Sequence, residues 1–215
     1  MNKSEVVNQI KAAGVIPIIR TKAENAALQA IEAVSAGGLN IFEVTMTVPN
    51  AIKIIENLKA QLEKNFLIGA GTVLDAETAD NCIAAGAEFI VSPIFDPRIV
   101  STCQKHDVTV IAGAMTVTEI FAVWRAGADF VKVFPADALG GASYLKAVKT
   151  VLPEVALIPT GGVTIETAAD FIKAGAAAIG IGSDLINQEW LQTGRADEIT
   201  SHTQTLVEII KKARE

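Results

Sequence analysis

A lysine sits inside an apolar run at Phe130-Val131-Lys132-Val133-Phe134-Pro135-Ala136-Asp137. The run has strand length and is ended by a proline. Alternation along a strand puts Phe130, Lys132 and Phe134 on one face and Val131 and Val133 on the other. If the valines pack under a helix, Lys132 points inward with an aromatic ring on each side. A buried ammonium is costly unless it is paired or neutralised. The same desolvation favours the free amine, whose lone pair can form a Schiff base with a carbonyl. The alternative is a strand-end lysine that snorkels to solvent along its stem.

A second charge stands in Ile41-Phe42-Glu43-Val44-Thr45, where Glu43 faces inward with Ile41 and Thr45. It is either a structural partner for Lys132 or a carboxylate that moves protons to and from a lysine-bound carbonyl. Two charges in one core are a costly structural device, which favours the proton-transfer reading. Arg20 follows Ile16-Pro17-Ile18-Ile19. Its guanidinium fork suits a carboxylate-bearing substrate, or it pairs with Glu24 on an exposed loop. Two glycine clusters remain, Thr160-Gly161-Gly162-Val163-Thr164 and Gly180-Ile181-Gly182-Ser183-Asp184-Leu185. Backbone N–H groups, a helix N-terminus and the Thr160 and Ser183 hydroxyls there could hold a phosphate. Asp184 would have to point away from it, and basic residues are scarce in both clusters.

Other chemistries find little support. His106 and His202 lie in polar surroundings and are expected at the surface. Cys82 and Cys103 form no CxxC and are expected to be free thiols, without disulfide or metal. No H-E-x-x-H, G-x-S-x-G or acidic cluster occurs, so no metal and no cofactor are expected. Gly69-Ala70-Gly71-Thr72 has the wrong spacing for a dinucleotide fingerprint. A net charge of -6 speaks against a nucleic-acid partner. No apolar run reaches membrane-spanning length, and Met1–Glu5 is polar rather than the start of a signal peptide. A cytoplasmic protein is expected.

The elements that must position these groups alternate along the chain. Strands are expected at Val15–Arg20, Asn40–Thr45, Leu67–Gly71, Phe89–Ser92, Thr109–Ala112, Phe130–Phe134, Ala156–Pro159 and Ala178–Gly182. Helices are expected at Glu24–Ala36, Asn50–Leu62, Ala76–Ala85, Pro97–Lys105, Val117–Arg125, Ala142–Val151, Ile165–Lys173 and Asp197–Ala213. Such alternation implies a parallel sheet, and eight units imply a closed (β/α)8 TIM barrel. Residues 1–215 read as a single barrel domain, with Met1–Ala13 as an extra N-terminal helix across the bottom. Capping boxes are expected at Thr21–Glu24 and Thr116–Glu119. Gly37, Gly86, Gly127 and Gly175 are expected as left-handed helix ends. In this fold the chemistry gathers at the carboxyl ends of the strands, and a phosphate site commonly forms after strands seven and eight. Lys132, Glu43, Arg20 and both glycine clusters fall there.

The motifs Glu43-Val44-Thr45, Gly69-Ala70-Gly71-Thr72-Val73, Val91-Ser92-Pro93, Val131–Ala136, Pro159–Val163 and Gly182-Ser183 resemble those of the 2-keto-3-deoxy-6-phosphogluconate (KDPG) and 4-hydroxy-2-oxoglutarate (KHG) aldolases. The resemblance runs in order from Val15 to Ser183. It implies a metal-independent class I aldolase, usually a homotrimer, acting on a small keto-acid phosphate. The expected reaction cleaves 2-dehydro-3-deoxy-6-phosphogluconate to pyruvate and glyceraldehyde 3-phosphate, as in the Entner–Doudoroff pathway. By that resemblance Lys132 is the Schiff-base lysine and Glu43 the proton-transfer carboxylate. Thr72, Pro93 and Phe134 would line the pyruvyl pocket, and Thr160, Gly161, Gly162 and Ser183 would hold phosphate. One departure stands out. Many members carry an arginine two residues after Glu-Val-Thr, where this chain has Thr47. Arg20, at the end of strand one, is then expected to grip the substrate carboxylate. A preference for KHG, or for the galactonate-series epimer, and a non-catalytic sugar-phosphate-binding barrel are the alternatives.

Overall fold

The computed structural model describes residues 1–61 and 66–215. Its strands are β1 (Val15–Ile19), β2 (Ile41–Thr45), β3 (Leu67–Gly71), β4 (Phe89–Val91), β5 (Thr109–Ala114), β6 (Phe130–Val133), β7 (Leu157–Pro159) and β8 (Ile179–Ile181). Its helices are α1 (Lys3–Ala13), α2 (Glu24–Ala36), α3 (Ala51–Gln61), α4 (Ala76–Ala84), α5 (Pro97–Lys105), α6 (Val117–Arg125), α7 (Gly141–Val151), α8 (Ile165–Lys173), α9 (Gln188–Gln192) and α10 (Ala196–Arg214). All strand pairs are parallel, in the order β7-β6-β5-β4-β3-β2-β1-β8. The eight-stranded (β/α)8 barrel expected from the alternation is the observed fold. The expected end of α3 at Leu62 lies outside the described residues.

The closure between β7 and β8 is the weakest seam, reduced to one bridge between Thr160 and Gly180. Thr160 donates its N–H to Val133 O on β6. Alternation therefore turns Pro159 toward β8, and proline has no N–H to give. On its other side β8 is held by β1, and Ile179 N donates to Gly14 O.

Two apolar layers follow from the period of two along each strand. Outward residues such as Phe42, Val44, Ile90, Val131 and Val133 pack beneath the helices. Inward residues Ile16, Ile41, Leu67, Phe89, Ile111, Phe130 and Ile158 fill the barrel interior together with Val6 and Ile10 of α1. The N-terminal helix thus plugs the bottom. Each of its two buried side chains contributes roughly 1.5–3 kcal/mol by leaving water. A capping box of Asn2 and Glu5 starts α1, and Gly14 ends it in the left-handed region (φ 71°). Arg214, at the end of α10, donates to the Ala12 and Lys11 carbonyls and fastens the two termini of the fold together.

Local signals were met unevenly. Thr116 and Glu119 form the expected capping box. Thr21 does not: Ala23 is the N-cap of α2, and the Thr21 hydroxyl donates to Ala23 O instead. Gly86, Gly127 and Gly175 adopt positive φ after their helices, but Gly37 stays right-handed and Gly38 (φ 97°) takes the turn. A Cβ at Gly37 would run into Thr203 of α10, so that glycine serves a close helix approach.

Candidate active site

The barrel places β2 and β6 four strands apart, on opposite sides of the ring. Glu43, in the middle of β2, and Lys132, in β6, both point inward and are 2% and 4% exposed. Their register follows from the apolar alternation that pins Phe42, Val44, Val131 and Val133 outward. Phe130, a layer deeper, belongs to the interior core. Phe134 stands at the mouth, 38% exposed, with Lys132 Nζ 5.4 Å from its ring centroid.

Glycine makes the room that these side chains use. Inward positions on β3 are Leu67, Gly69 and Gly71. A Cβ at Gly69 would strike the Phe89 ring, and one at Gly71 would overlap the Glu43 carboxylate. The Gly69–Gly71 segment is therefore a pair of recesses for neighbouring side chains, which accounts for its glycines without a nucleotide. On β5, Gly113 lets the backbone of Pro93 approach in the same way. Ser92 is fully buried and its hydroxyl accepts from Ile94 N, fixing the turn that carries Pro93.

Lys132 and Glu43 face one interior but make no direct ion pair, which separates the arrangement from a structural salt bridge. Glu43 Oε1 is fully buried and has no hydrogen-bond partner among the described residues. Burial pushes the Glu43 carboxyl above the ordinary carboxylate range, opposed by the positive charges of Lys132 and Arg20. A carboxylate so placed holds its proton more readily than one in water. An unsatisfied buried acceptor is rare in a folded protein and calls for an explanation.

Arg20 reaches the same interior from the end of β1. Its Nη2 donates to Thr72 Oγ1 at 3.3 Å. Glu24, the alternative partner considered for Arg20, accepts instead from Asn50 Nδ2. Thr72 has φ 57°, a left-handed conformation uncommon for a branched residue and found mostly at functional sites. The Arg20 carbonyl is tied by Gln188 Nε2 at 2.7 Å. Thr47 bonds Thr45 Oγ1 at 2.8 Å, and Thr45 in turn donates to Ile19 O.

Above this interior lies a cavity of about 720 Å³ whose wall includes Arg20, Lys22, Phe134, Thr160, Gly161 and Ser183. Gly161 (φ 87°) and Gly162 (φ 68°) need their conformational freedom here; a Cβ on Gly162 would overlap Asp137. Asp184 also borders the cavity, and its carboxylate is turned onto Ile165 N of α8 at 2.8 Å. The Thr164 and Thr167 amides in that turn are taken by the Thr167 and Thr164 hydroxyls. The first turn of α8 is thus largely self-satisfied, unlike the open helix N-terminus expected. Lys22 was not singled out by sequence reasoning, and no motif marks it. The two histidines sit apart, His106 against Asp80 and His202 against Trp190.

The family model "KDPG and KHG aldolase" matches residues 6–202. The chain belongs to the KDPG and KHG aldolase family. It is 37% identical to the 2-dehydro-3-deoxy-6-phosphogalactonate aldolase of Escherichia coli over 79% of this chain and 83% of that one. Among solved structures, it matches KDPG aldolase of Legionella pneumophila at 33% identity and TM-score 0.86, covering 94% and 97% of the two chains. That structure holds pyruvate captured as a covalent carbinolamine. KDPG aldolase of Zymomonas mobilis, solved with 3-phosphoglycerate, matches at 28% identity and TM-score 0.83, covering 95% of each chain. As an aldolase-family member the chain is a carbon–carbon lyase. Among the described residues, no helix of this aldolase-family chain is long and apolar enough to cross a membrane.

Proposed function

We propose that this protein is a class I aldolase that cleaves KDPG to pyruvate and glyceraldehyde 3-phosphate through a Schiff base on Lys132. One observation carries the reading: a lysine 4% exposed in a barrel interior, across from a buried carboxylate, where among the described residues the lysine has no ion pair and the carboxylate Oε1 no hydrogen-bond partner. A structural pair would have closed on itself. The carbinolamine captured in the Legionella pneumophila relative supports the same chemistry.

In its neutral form Lys132 attacks the C2 ketone and gives a carbinolamine. Loss of water, helped by a proton from Glu43, gives an iminium. Glu43 then takes the C4 hydroxyl proton, by way of a water molecule. The C3–C4 bond breaks, its electrons enter the iminium, and glyceraldehyde 3-phosphate leaves. The remaining enamine takes a proton at C3, and hydrolysis releases pyruvate and the free amine. A carboxyl that burial has made more basic suits these alternating donor and acceptor roles. Arg20, held by Thr72, faces the keto-acid carboxylate. Thr72, Pro93 and Phe134 line the pyruvyl end. Thr160, Gly161, Gly162 and Ser183 meet the phosphate.

Borohydride reduction in the presence of pyruvate should attach a three-carbon adduct to the Lys132 peptide. An inactivated enzyme with Lys132 unmodified would sink the mechanism. A second reading has support of its own. The Escherichia coli relative at 37% identity is named for the galactonate series, and Thr47 stands where many members of the family carry an arginine. Pyruvate release from KDPG, its galactonate epimer and KHG, followed with lactate dehydrogenase, ranks the three substrates. A cytoplasmic homotrimer completes the proposal. Exposed Met115, Val117, Phe121 and Trp124 at the start and along α6 supply an apolar face for subunit contact, and light scattering on the purified protein reads its mass.

A further inference from the structure

The geometry points to Lys22 as the residue that confers preference for a phosphorylated substrate, by supplying the positive charge the phosphate end of the cavity otherwise lacks. This rests on the aldolase reading above and adds a residue to it. From Pro159 to Ile172 and from Ala174 to Gly194 the sequence has no lysine or arginine. Both glycine loops fall in those stretches, so neither can neutralise a dianion with a side chain. Asp184 adds a negative charge to the same wall. The amides of Thr164, Ile165 and Thr167 already have acceptors, so the start of α8 offers little. A phosphate seated between Thr160 and Ser183 therefore needs a cation from across the cavity.

Among the described residues two cations border that space, Arg20 and Lys22. Arg20 leans toward β3, donating to Thr72, and its charge acts on Glu43. It serves the keto-acid end. Lys22 remains. It forms no ion pair or hydrogen bond with any described residue, so its ammonium is not committed elsewhere. Its backbone is set from both sides. Gln188 holds the Arg20 carbonyl at 2.7 Å, and the buried Thr21 donates to Ala23 O at 2.8 Å. A flexible ammonium on a fixed stem suits a phosphate, which demands charge more than fork geometry.

The test measures kcat/KM of the wild type, Lys22→Ala and Lys22→Arg for KDPG and for unphosphorylated KHG, at low and high salt. The ratio of the two substrates should fall about tenfold in Lys22→Ala, through KM, and return toward wild type in Lys22→Arg. The loss should shrink as salt rises. Titration of glycerol 3-phosphate by calorimetry provides a readout that needs no turnover. Binding about tenfold weaker in Lys22→Ala supports the assignment. An unchanged substrate ratio, or glycerol 3-phosphate bound equally by wild type and Lys22→Ala or by neither, overturns it. A wild type that cleaves neither keto acid would count against the aldolase reading alone, and the titration would still decide for or against Lys22.

Discussion

The two ends of the barrel treat buried charge in opposite ways. At the bottom, Asp129 and Glu88 stand just before β6 and β4, and each has a basic partner, although Glu88 Oε1, like Glu43 Oε1, accepts no hydrogen bond among the described residues. Asp129 Oδ2 accepts from Val110 N at 2.9 Å and pairs with Lys3 at 3.0 Å. Glu88 pairs with Lys59 at 2.9 Å, accepts from Ile68 N at 3.4 Å, and has the N-terminal amine 3.7 Å away. At the top, Lys132 and Glu43 are more deeply buried, yet among the described residues Lys132 has no ion pair and Glu43 Oε1 has no hydrogen-bond partner. Burial alone therefore does not separate scaffold from chemistry. Satisfaction by a charged partner differs instead: both lower carboxylates are ion-paired, whereas no ion pair among the described residues holds Lys132 or Glu43.

The sharpest way to break this contrast is to remove the upper charges. Lys132→Met should abolish pyruvate trapping and lower turnover by at least about 10⁴-fold, as loss of a covalent nucleophile does. Its thermal midpoint should hold or rise, because an unpaired ammonium leaves a greasy site. A large drop in stability would make Lys132 scaffold after all. Glu43→Gln should keep pyruvate trapping but slow turnover by roughly 10²–10³-fold. Its stability has a definite pH signature. Burial raises the Glu43 carboxyl above its unfolded value, so the folded state binds this proton more tightly. Glu43 then costs stability as pH rises from the unfolded carboxylate value through the higher folded one, and costs nothing below both. Glu43→Gln should gain in melting temperature at pH 7 relative to wild type, and the gain should vanish near pH 4. A gain that grows on acidification would contradict the direction of the shift.

Much of this was legible in the sequence because one rule carried it. Period-two alternation put Glu43 and Lys132 inside, and strand counting put them on opposite sides of one ring. Depth along the same face of β6 separated Phe130, packed in the core, from Phe134 at the mouth. What failed was contact chemistry that depends on three-dimensional neighbours. Thr21 has the spacing of a capping box with Glu24, yet its hydroxyl turns to Ala23 O because α2 starts later. The open start of α8 could not be judged without seeing Asp184 arrive from β8, nineteen positions along the chain. The spacing around Gly71 excludes a nucleotide motif, but the carboxylate that fills its recess comes from another strand and could not be read from the sequence. Lys22 belongs to no motif, and only the cavity wall reveals it.

Gly71 gives a subtler way to sharpen the comparison, because it alters the upper charge without removing it. Gly71→Ala would place a methyl group where the Glu43 carboxylate lies. The colliding atoms are the far end of a side chain, so the fold should survive while Glu43 shifts. Turnover should fall about tenfold or more, with pyruvate trapping retained, since misplacement of a proton-transfer group by about 1 Å costs on that scale. If Gly71→Ala leaves kcat unchanged, the position of Glu43 is not critical and its role in proton transfer weakens.

The smallest effect on activity should come from the bottom. Asp129→Ala leaves the Val110 N–H without its acceptor and Lys3 without its partner. A buried donor so abandoned costs roughly 1–3 kcal/mol. The lysine pair adds less, because both side chains retain some exposure and a partly solvated ion pair is worth about 1 kcal/mol at most. The melting temperature should drop by several degrees while kcat and KM stay within about twofold, since the site lies a full barrel length away. Asp129→Asn should recover part of the loss by keeping an oxygen for Val110 N. The contrast with Lys132→Met is then a crossed pair: one variant loses stability and keeps activity, the other loses activity and keeps stability. An Asp129→Ala enzyme that melts like wild type would mean that the bottom charges are as idle structurally as the top ones, and satisfaction would lose its value as a guide.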